Sequence, residues 1–249
     1  MSYEIKNKIV AITGAASGIG YETAIKFAQK GAKLVLLLDL NEKLGNEAVN
    51  TINSKFGSKR AVFYKCDVRT DVETVWKKII DEYGNVDVLV NSAGVFCEKN
   101  TKKTIDINVT ALIDWSLKFW ECNRKDKSGN GGTIINLASI YGYRVDQYIP
   151  IYQASKFAVM GFTRSLGHEY NFNRSGVRVV VVCPGFTETP IVHNIQVWDD
   201  VIREEFVGFT ETQAWQKPDD VANAIVEVFE NAKSGTAWNI EGGNPVKQV

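Results

Sequence analysis

Little in this chain points toward a metal, a nucleic acid or a membrane. Only two histidines, His168 and His193, occur in 249 residues, far from each other and from any cysteine cluster, so no metal set is expected. The four cysteines, Cys66, Cys97, Cys122 and Cys183, include no CxxC pair. They read as small core or surface residues, not as disulfides or zinc ligands. Neither sign of charge is in excess, with Lys+Arg and Asp+Glu both at 29, which removes the electrostatic case for nucleic acid or an acidic membrane surface. No apolar run approaches the roughly 18 residues of a membrane helix. Met1-Ser2-Tyr3-Glu4 lacks the basic start and apolar core of a signal peptide, so the cytoplasm is the expected compartment. A hydrophobic content of 45% suffices for one domain, residues 1–249, around a full core.

What the chain does contain is an alternation of strand and helix signals. Strands are expected near residues 7–12, 33–39, 60–66, 86–91, 131–138, 177–183 and 236–240, with helices between them and stops at Gly31, Gly57, Gly84 and Gly176. Apolar runs such as residues 177–182 imply strands buried on both faces, hence a parallel sheet covered by helices. Right-handed crossovers then give an α/β, doubly wound, Rossmann-like sheet of about seven strands, with any ligand at the carboxyl ends.

The first strand runs into Thr13-Gly14-Ala15-Ala16-Ser17-Gly18-Ile19-Gly20, followed by helical spacing through Ala24, Ile25, Phe27 and Ala28. Strand, glycine-rich turn and helix in that order allow close backbone approach to a pyrophosphate, which the helix N-terminus favours electrostatically. The second strand ends at Asp39, close to the roughly 20-residue offset of a carboxylate that binds ribose hydroxyls. Further along stands Tyr152-Gln153-Ala154-Ser155-Lys156. A tyrosine and a lysine four apart share one helix face. A phenol of pKa about 10 is a poor base at neutral pH, and an ammonium fixed beside it should lower that value and fit it for proton transfer.

Taken together these motifs resemble the short-chain dehydrogenase/reductase family, of the compact single-domain kind. The glycine spacing is Gly-x-x-x-Gly-x-Gly at Gly14, Gly18 and Gly20. In register with it stand Asp67-Val68, Asn91-Ser92-Ala93-Gly94, Asn108, Ser139, Tyr152 with Lys156, and Pro184-Gly185. The resemblance covers almost the whole chain. It implies Tyr152 as general base, Lys156 as its partner and as a ligand of the nicotinamide ribose, and Ser139 as donor to the substrate oxygen. Asn108 would hold a water for proton relay. Gly14, Ser17, Gly18, Ile19, Gly20, Asp39 and Leu40 would line the cofactor site. Asp67 and Val68 would meet adenine, Asn91, Ala93 and Gly94 the ribose, and Pro184, Gly185, Phe186, Thr187 and Thr189 the nicotinamide amide or phosphate. Ser92 departs from the commoner second asparagine of its motif.

Asp39 would repel a 2′-phosphate, and neither Ala15-Ala16-Ser17 nor Leu40-Asn41 supplies a cation, so NAD is the expected cofactor. Residues 186–216 correspond to the family's variable lid. They hold Phe186, Ile191, Val192, Ile195, Val197, Trp198, Val201, Ile202, Phe206, Phe209 and Trp215, which suggests a hydrophobic primary or secondary alcohol, or its carbonyl, as substrate; the same residues could instead pack the lid on the body. Within the family the runs around 94–100 and 154–165 are most similar to NAD-linked hydroxyprostaglandin dehydrogenases and insect alcohol dehydrogenases. Ile149, with Gln147 two positions earlier, stands where the former type would carry a substrate-binding glutamine. An NADPH-dependent carbonyl or ketoacyl reductase and a non-catalytic dinucleotide-binding regulator remain as alternatives. Asp39 argues against the first, and retention of Ser139, Tyr152 and Lys156 against the second. The family pattern implies a homodimer or homotetramer paired through helices near residues 104–122 and 153–170.

Overall fold

The computed structural model describes residues 3–192 and 196–249; His193 and Ile195, named above, lie outside the described residues. Eight strands form one sheet in the order β3-β2-β1-β4-β5-β6-β7-β8: β1 Ile9–Thr13, β2 Leu34–Asp39, β3 Ala61–Lys65, β4 Val88–Asn91, β5 Gly132–Leu137, β6 Val177–Pro184, β7 Ala237–Ile240 and β8 Lys247–Gln248. The first seven match the expected positions and pair in parallel. The eighth is a two-residue edge strand, antiparallel to β7 through Trp238↔Gln248 and Asn239↔Lys247. So short and polar a segment carries no strand periodicity, and only its pairing with β7 makes it one.

Side-chain alternation explains why both faces had to be covered. In β1 and β2, Val10, Ile12, Val35 and Leu37 enter one core, while Ile9, Ala11, Leu34, Leu36 and Leu38 enter the other. Each face is apolar because successive residues point to opposite sides of a strand. On the first face lie α1 (Gly18–Gln29), α2 (Glu42–Phe56) and α9 (Pro218–Asn231), which contribute Phe27, Ile52, Ile225 and Phe229. The second face is covered by α3 (Val72–Tyr83), α5 (Leu112–Asn123) and α6 (Pro150–Leu166), through Trp76, Ile79, Trp115 and Phe119 and Val159 and Met160. A short α4 (Thr101–Ile105) joins α5 through a π turn, Asp106–Ala111. Helix α7 is Glu169–Ser175 and α8, in the lid segment, is Arg203–Glu211.

Close packing is visible at Gly45 in α2, where a Cβ would lie 2.1 Å from the Phe63 ring of β3. Arg178 of β6 is fully buried without a carboxylate partner among the described residues. Its guanidinium donates to the carbonyls of Phe229 and Ala232 at 2.6 and 2.8 Å and lies 3.5 Å from the Tyr3 ring centroid. Burial pulls its pKa down to about 10.

Strands β1 and β4 are adjacent, and the chain winds outward from them in both directions. The crevice beyond their carboxyl ends is therefore the topological switch point where doubly wound sheets bind ligands. Thr13, Asp39, Asn91, Ser139 and Pro184 all stand at or just past that edge.

Candidate active site

A cavity of about 470 Å³ opens at this edge, and its walls divide into two chemically distinct halves. One half is the glycine-rich turn. Gly14 adopts φ +65 and packs so closely on the loop after β4 that a Cβ would sit 2.7 Å from Ala93 Cα. Gly20 packs in turn on Gly14, where a Cβ would lie 2.2 Å from the Gly14 carbonyl oxygen. Ser17, the N-cap of α1, makes no side-chain cap, so the first amides of the helix are left for a ligand. Asp39 closes this half. Its Oδ2 accepts from Ala16 N at 3.0 Å and its Oδ1 from Asn41 N at 2.9 Å, so the carboxylate holds the turn in shape as well as facing the cavity. A bare-backbone cradle, free helix amides and a carboxylate at the far end fit the pyrophosphate and adenosine ribose of a dinucleotide.

The other half is walled by Phe96, Ile140, Tyr141, Ile149, Phe186 and Phe206 around the polar group Ser139, Tyr152 and Lys156. Ser139 follows β5 and caps the short turn Ile140–Gly142, its Oγ accepting from Tyr141 N at 3.2 Å. It also donates to the Pro184 carbonyl at 3.4 Å. Tyr152 and Lys156 project from the first two turns of α6. Lys156 Nζ donates to the Leu137 carbonyl at 2.9 Å and lies 5.5 Å from the Tyr152 ring centroid.

The expected lowering of the Tyr152 pKa by Lys156 is not what this arrangement produces. Burial pushes the phenol up to about 12, with the Ser139 hydroxyl pulling the other way. The lysine itself is pulled down to about 8 by burial, opposed by Cys183. Desolvation disfavours the charged form of both groups, and Lys156 directs its proton at a backbone carbonyl. At neutral pH the phenol is therefore protonated and the lysine still mainly an ammonium.

Not every residue named from the sequence lines the cavity. Asn91 lies behind it, donating to Ser116 Oγ and Asn136 Oδ1, both at 2.9 Å. Asn108, in the π turn, accepts from Val95 N at 2.8 Å and donates to Val95 O at 2.9 Å and Ser155 Oγ at 3.1 Å. Its side chain is thus engaged with protein, with one acceptor position of Oδ1 left over. Asp67 is tied to Arg69 through two bonds of 2.9 and 2.6 Å, the Val68 carbonyl accepts from Trp115 Nε1, and Leu40 is 57% exposed; none of the three is a wall residue. Glycines 14, 18 and 20, Ser17, Ile19, Asp39, Ala93, Gly94, Pro184, Gly185, Phe186, Thr187 and Thr189 are.

The lid residues separate similarly. Phe186, Ile191, Val192 and Phe206 face the cavity, and Phe209 and Trp215 pack behind Phe186. Trp198 is half exposed and donates to the Gln147 carbonyl at 3.3 Å, so it stands outside the pocket. Phe96 and Tyr141 were missed. Their only sequence signal is position, just after Gly94 and just after Ser139. Among the described residues no group of His, Cys, Asp and Glu could hold a metal, and no helix is long and apolar enough to cross a membrane. All four cysteines are free.

The model of the family described as short chain dehydrogenase matches residues 8–200. The chain belongs to the short-chain dehydrogenases. This short-chain dehydrogenase is 37% identical over 234 residues to 15-hydroxyprostaglandin dehydrogenase [NAD(+)] of Homo sapiens, covering 91% of this chain and 88% of that protein. It is 32% identical over 251 residues to alcohol dehydrogenase 2 of Ceratitis capitata, covering 98% and 95%. Among solved structures, L-sorbose reductase from Gluconobacter frateurii, complexed with NADPH and L-sorbose, superposes with a TM-score of 0.80 at 25% identity over 98% of each chain. The 3-ketoacyl-(acyl-carrier-protein) reductase from Brucella melitensis, complexed with NADH, gives 0.81 at 24% over 96% and 99%. The latter likeness is one of fold.

Proposed function

We propose that the protein oxidises an uncharged, hydrophobic primary or secondary alcohol to its carbonyl with NAD. The observation that carries the substrate class is the wall facing Tyr152, built from Phe96, Ile140, Tyr141, Ile149, Phe186 and Phe206. The nearby cations have other partners. Arg144 is held bidentate by Glu241 at 2.8 and 2.9 Å, and Lys99 pairs with Asp200 at 3.0 Å. Among the wall residues only Lys156, already set beside Tyr152, could meet a substrate carboxylate or phosphate, which would otherwise enter this half unpaired, at a desolvation penalty of several kcal/mol. Where the resemblance to hydroxyprostaglandin dehydrogenases would place a polar substrate contact, Ile149 is on the wall and Gln147 turns toward Glu205 at 3.4 Å.

Bound NAD supplies the hydride acceptor. Only as phenolate, the form that Lys156 and the positive charge of bound NAD would favour against burial, does Tyr152 take the hydroxyl proton, while Ser139 donates to the substrate oxygen and steadies the developing alkoxide. Relatives named 15-hydroxyprostaglandin dehydrogenase [NAD(+)] and alcohol dehydrogenase 2 support this reading, as does Asp39 at the far end of the glycine-rich half. NADH formation over a panel of neutral alcohols of graded length tests it. Turnover should rise with apolar size and vanish in Tyr152→Phe, while NAD still binds. Preference for polyols or for acids, or near-normal activity of Tyr152→Phe, would overturn it.

The same reading places residues 1–249 as one catalytic unit with 186–216 as its lid, in the cytoplasm. It pairs subunits through α5 and α6, where Leu117 and Phe157 are 42% and 43% exposed. A solution mass of 27.8 kDa by light scattering at micromolar concentration would exclude the pairing.

A further inference from the structure

Helix α6 carries Tyr152 in its first turn, yet nothing local caps it. The N-cap position is Ile149, without a side-chain acceptor, and Pro150 follows. The first two free amides, those of Ile151 and Tyr152, are held instead by Glu98, from the segment between β4 and α4. Its Oε2 accepts from Ile151 N at 3.0 Å and its Oε1 from Tyr152 N at 2.6 Å. Glu98 is 3% exposed. A carboxylate that deep is rare unless partnered, and here both partners are backbone amides at the positive end of a helix.

The segment that delivers Glu98 is itself fixed. Both backbone polar groups of Val95 are bonded by the side chain of Asn108, which also reaches Ser155 on α6. Thr104 Oγ1 donates to the Cys97 carbonyl at 2.7 Å. Between these anchors Phe96 lays its ring on that of Tyr152, centroids 4.9 Å apart and planes inclined by 38°. One strap of four residues thus holds Tyr152 twice, by its amide through Glu98 and by its ring through Phe96.

We propose that Glu98 is a positioning residue for Tyr152: it references the catalytic turn of α6 to the strap 95–98, and so to the cofactor wall at Gly94, instead of to the helix's own cap. This inference rests on the assignment of Tyr152 as the proton acceptor. An ordinary cap would add stability and leave the folded enzyme's chemistry alone. A positioning contact acts on turnover, because a small misplacement of the reacting group slows the step without weakening cofactor binding.

Burial is the main cause of a raised Glu98 pKa, with the two amides opposing it and Asp146 adding to it. Asp146 takes Tyr148 N and Gln153 Nε2 on its Oδ1, and its buried Oδ2 has no hydrogen-bond partner among the described residues.

The test compares wild type, Glu98→Gln and Glu98→Asp well below their melting temperatures, by steady-state NADH formation, by NAD affinity and by NMR of protein labelled at the tyrosine ring carbons. The Tyr152 signal is assigned from its loss in Tyr152→Phe. Glutamine keeps the shape but offers an amide N–H to a backbone N–H. It should lower kcat about tenfold or more, keep KM for NAD and NAD affinity within about twofold, and displace the Tyr152 ring signal. Aspartate keeps the charge and should recover part of both effects. Unchanged kcat with an unmoved Tyr152 signal in Glu98→Gln would overturn the proposal. If no alcohol is oxidised even by wild type, the enzymatic reading fails on its own, and the ring signal alone then decides the role of Glu98.

Discussion

Replacing Asp39 by asparagine should narrow the discrimination between NAD and NADP without dismantling the site. The wild-type carboxylate lines the glycine-rich half of the cavity and also holds Ala16 N and Asn41 N. A 2′-phosphate placed against it brings a second anion of charge about −1.5 to −2 to within roughly 5 Å. Between the dielectric limits of water and of a protein surface, that repulsion is worth about 1–7 kcal/mol, and partial exposure of Asp39 favours the lower half, about 2–3 kcal/mol. Nothing nearby offsets it, since Lys65, paired in register with Asp39, faces Glu42 at 3.5 Å and Arg69 is held by Asp67. Asparagine removes the charge but keeps an oxygen for Ala16 N. Its kcat/KM with NADP should rise about tenfold or more, and its kcat/KM with NAD should fall by about tenfold as a charge-assisted ribose contact weakens. Serine is too short to reach Ala16 N, so Asp39→Ser should lose more with NAD than Asp39→Asn for the same relief of repulsion. Initial rates with both cofactors at low and high salt measure this, and the NADP penalty should shrink as salt screens it. Equal efficiency of the wild type with both cofactors, or an unchanged ratio in Asp39→Asn, would refute the reasoning.

Lys156 titrates near 8 when folded and near 10.5 when free, so the folded state prefers its neutral form. The burden of a buried charge is full below pH 8, and stability is regained as pH rises from 8 toward 10.5. Lys156→Met should therefore be more stable than wild type by up to about 3 kcal/mol at pH 7, with the gap closing by pH 10.5; a pH-independent difference in urea midpoint would count against it. Phe206→Ala should flatten the gain in kcat/KM with alcohol length, because Phe206 faces the cavity, whereas Trp198→Ala should not. Equal effects of the two would place Trp198 in the pocket after all. Gly45→Ala should destabilise by about 1–3 kcal/mol through overpacking against Phe63, despite alanine's better helix propensity. Its urea midpoint should fall while kcat stays within twofold.

The sheet and the glycine-rich turn were legible because each rests on a local rule. Val10 and Ile9 belong to opposite cores by simple alternation, Gly14 adopts a positive φ, and Gly20 packs on the backbone of Gly14 and Ala15 in the same turn. The Tyr152–Lys156 pair was legible as a spacing but not in its electrostatics, because the direction of both shifts is set by burial that no spacing reveals. Glu98 gave no signal at all. Its meaning lies in a contact with amides more than fifty residues later, and in sequence it is one acid beside Lys99. Trp198 shows the opposite failure: an aromatic lid residue looks like a pocket wall until the register turns it outward.

Arg178 carries one last consequence. Its buried guanidinium is met on one side by the carbonyl end of α9 and on the other by the ring of Tyr3, so aromatic and carbonyl surfaces stand in for a counter-anion. Tyr3 is thereby a structural lid over a charge at the start of β6. An affinity tag, a protease cut or a substitution that displaces Tyr3 would open this charge to water and loosen α9 from the sheet. Melting temperatures of such a protein report the tag as much as the fold, and comparisons among variants hold only when all share the same N-terminal residues.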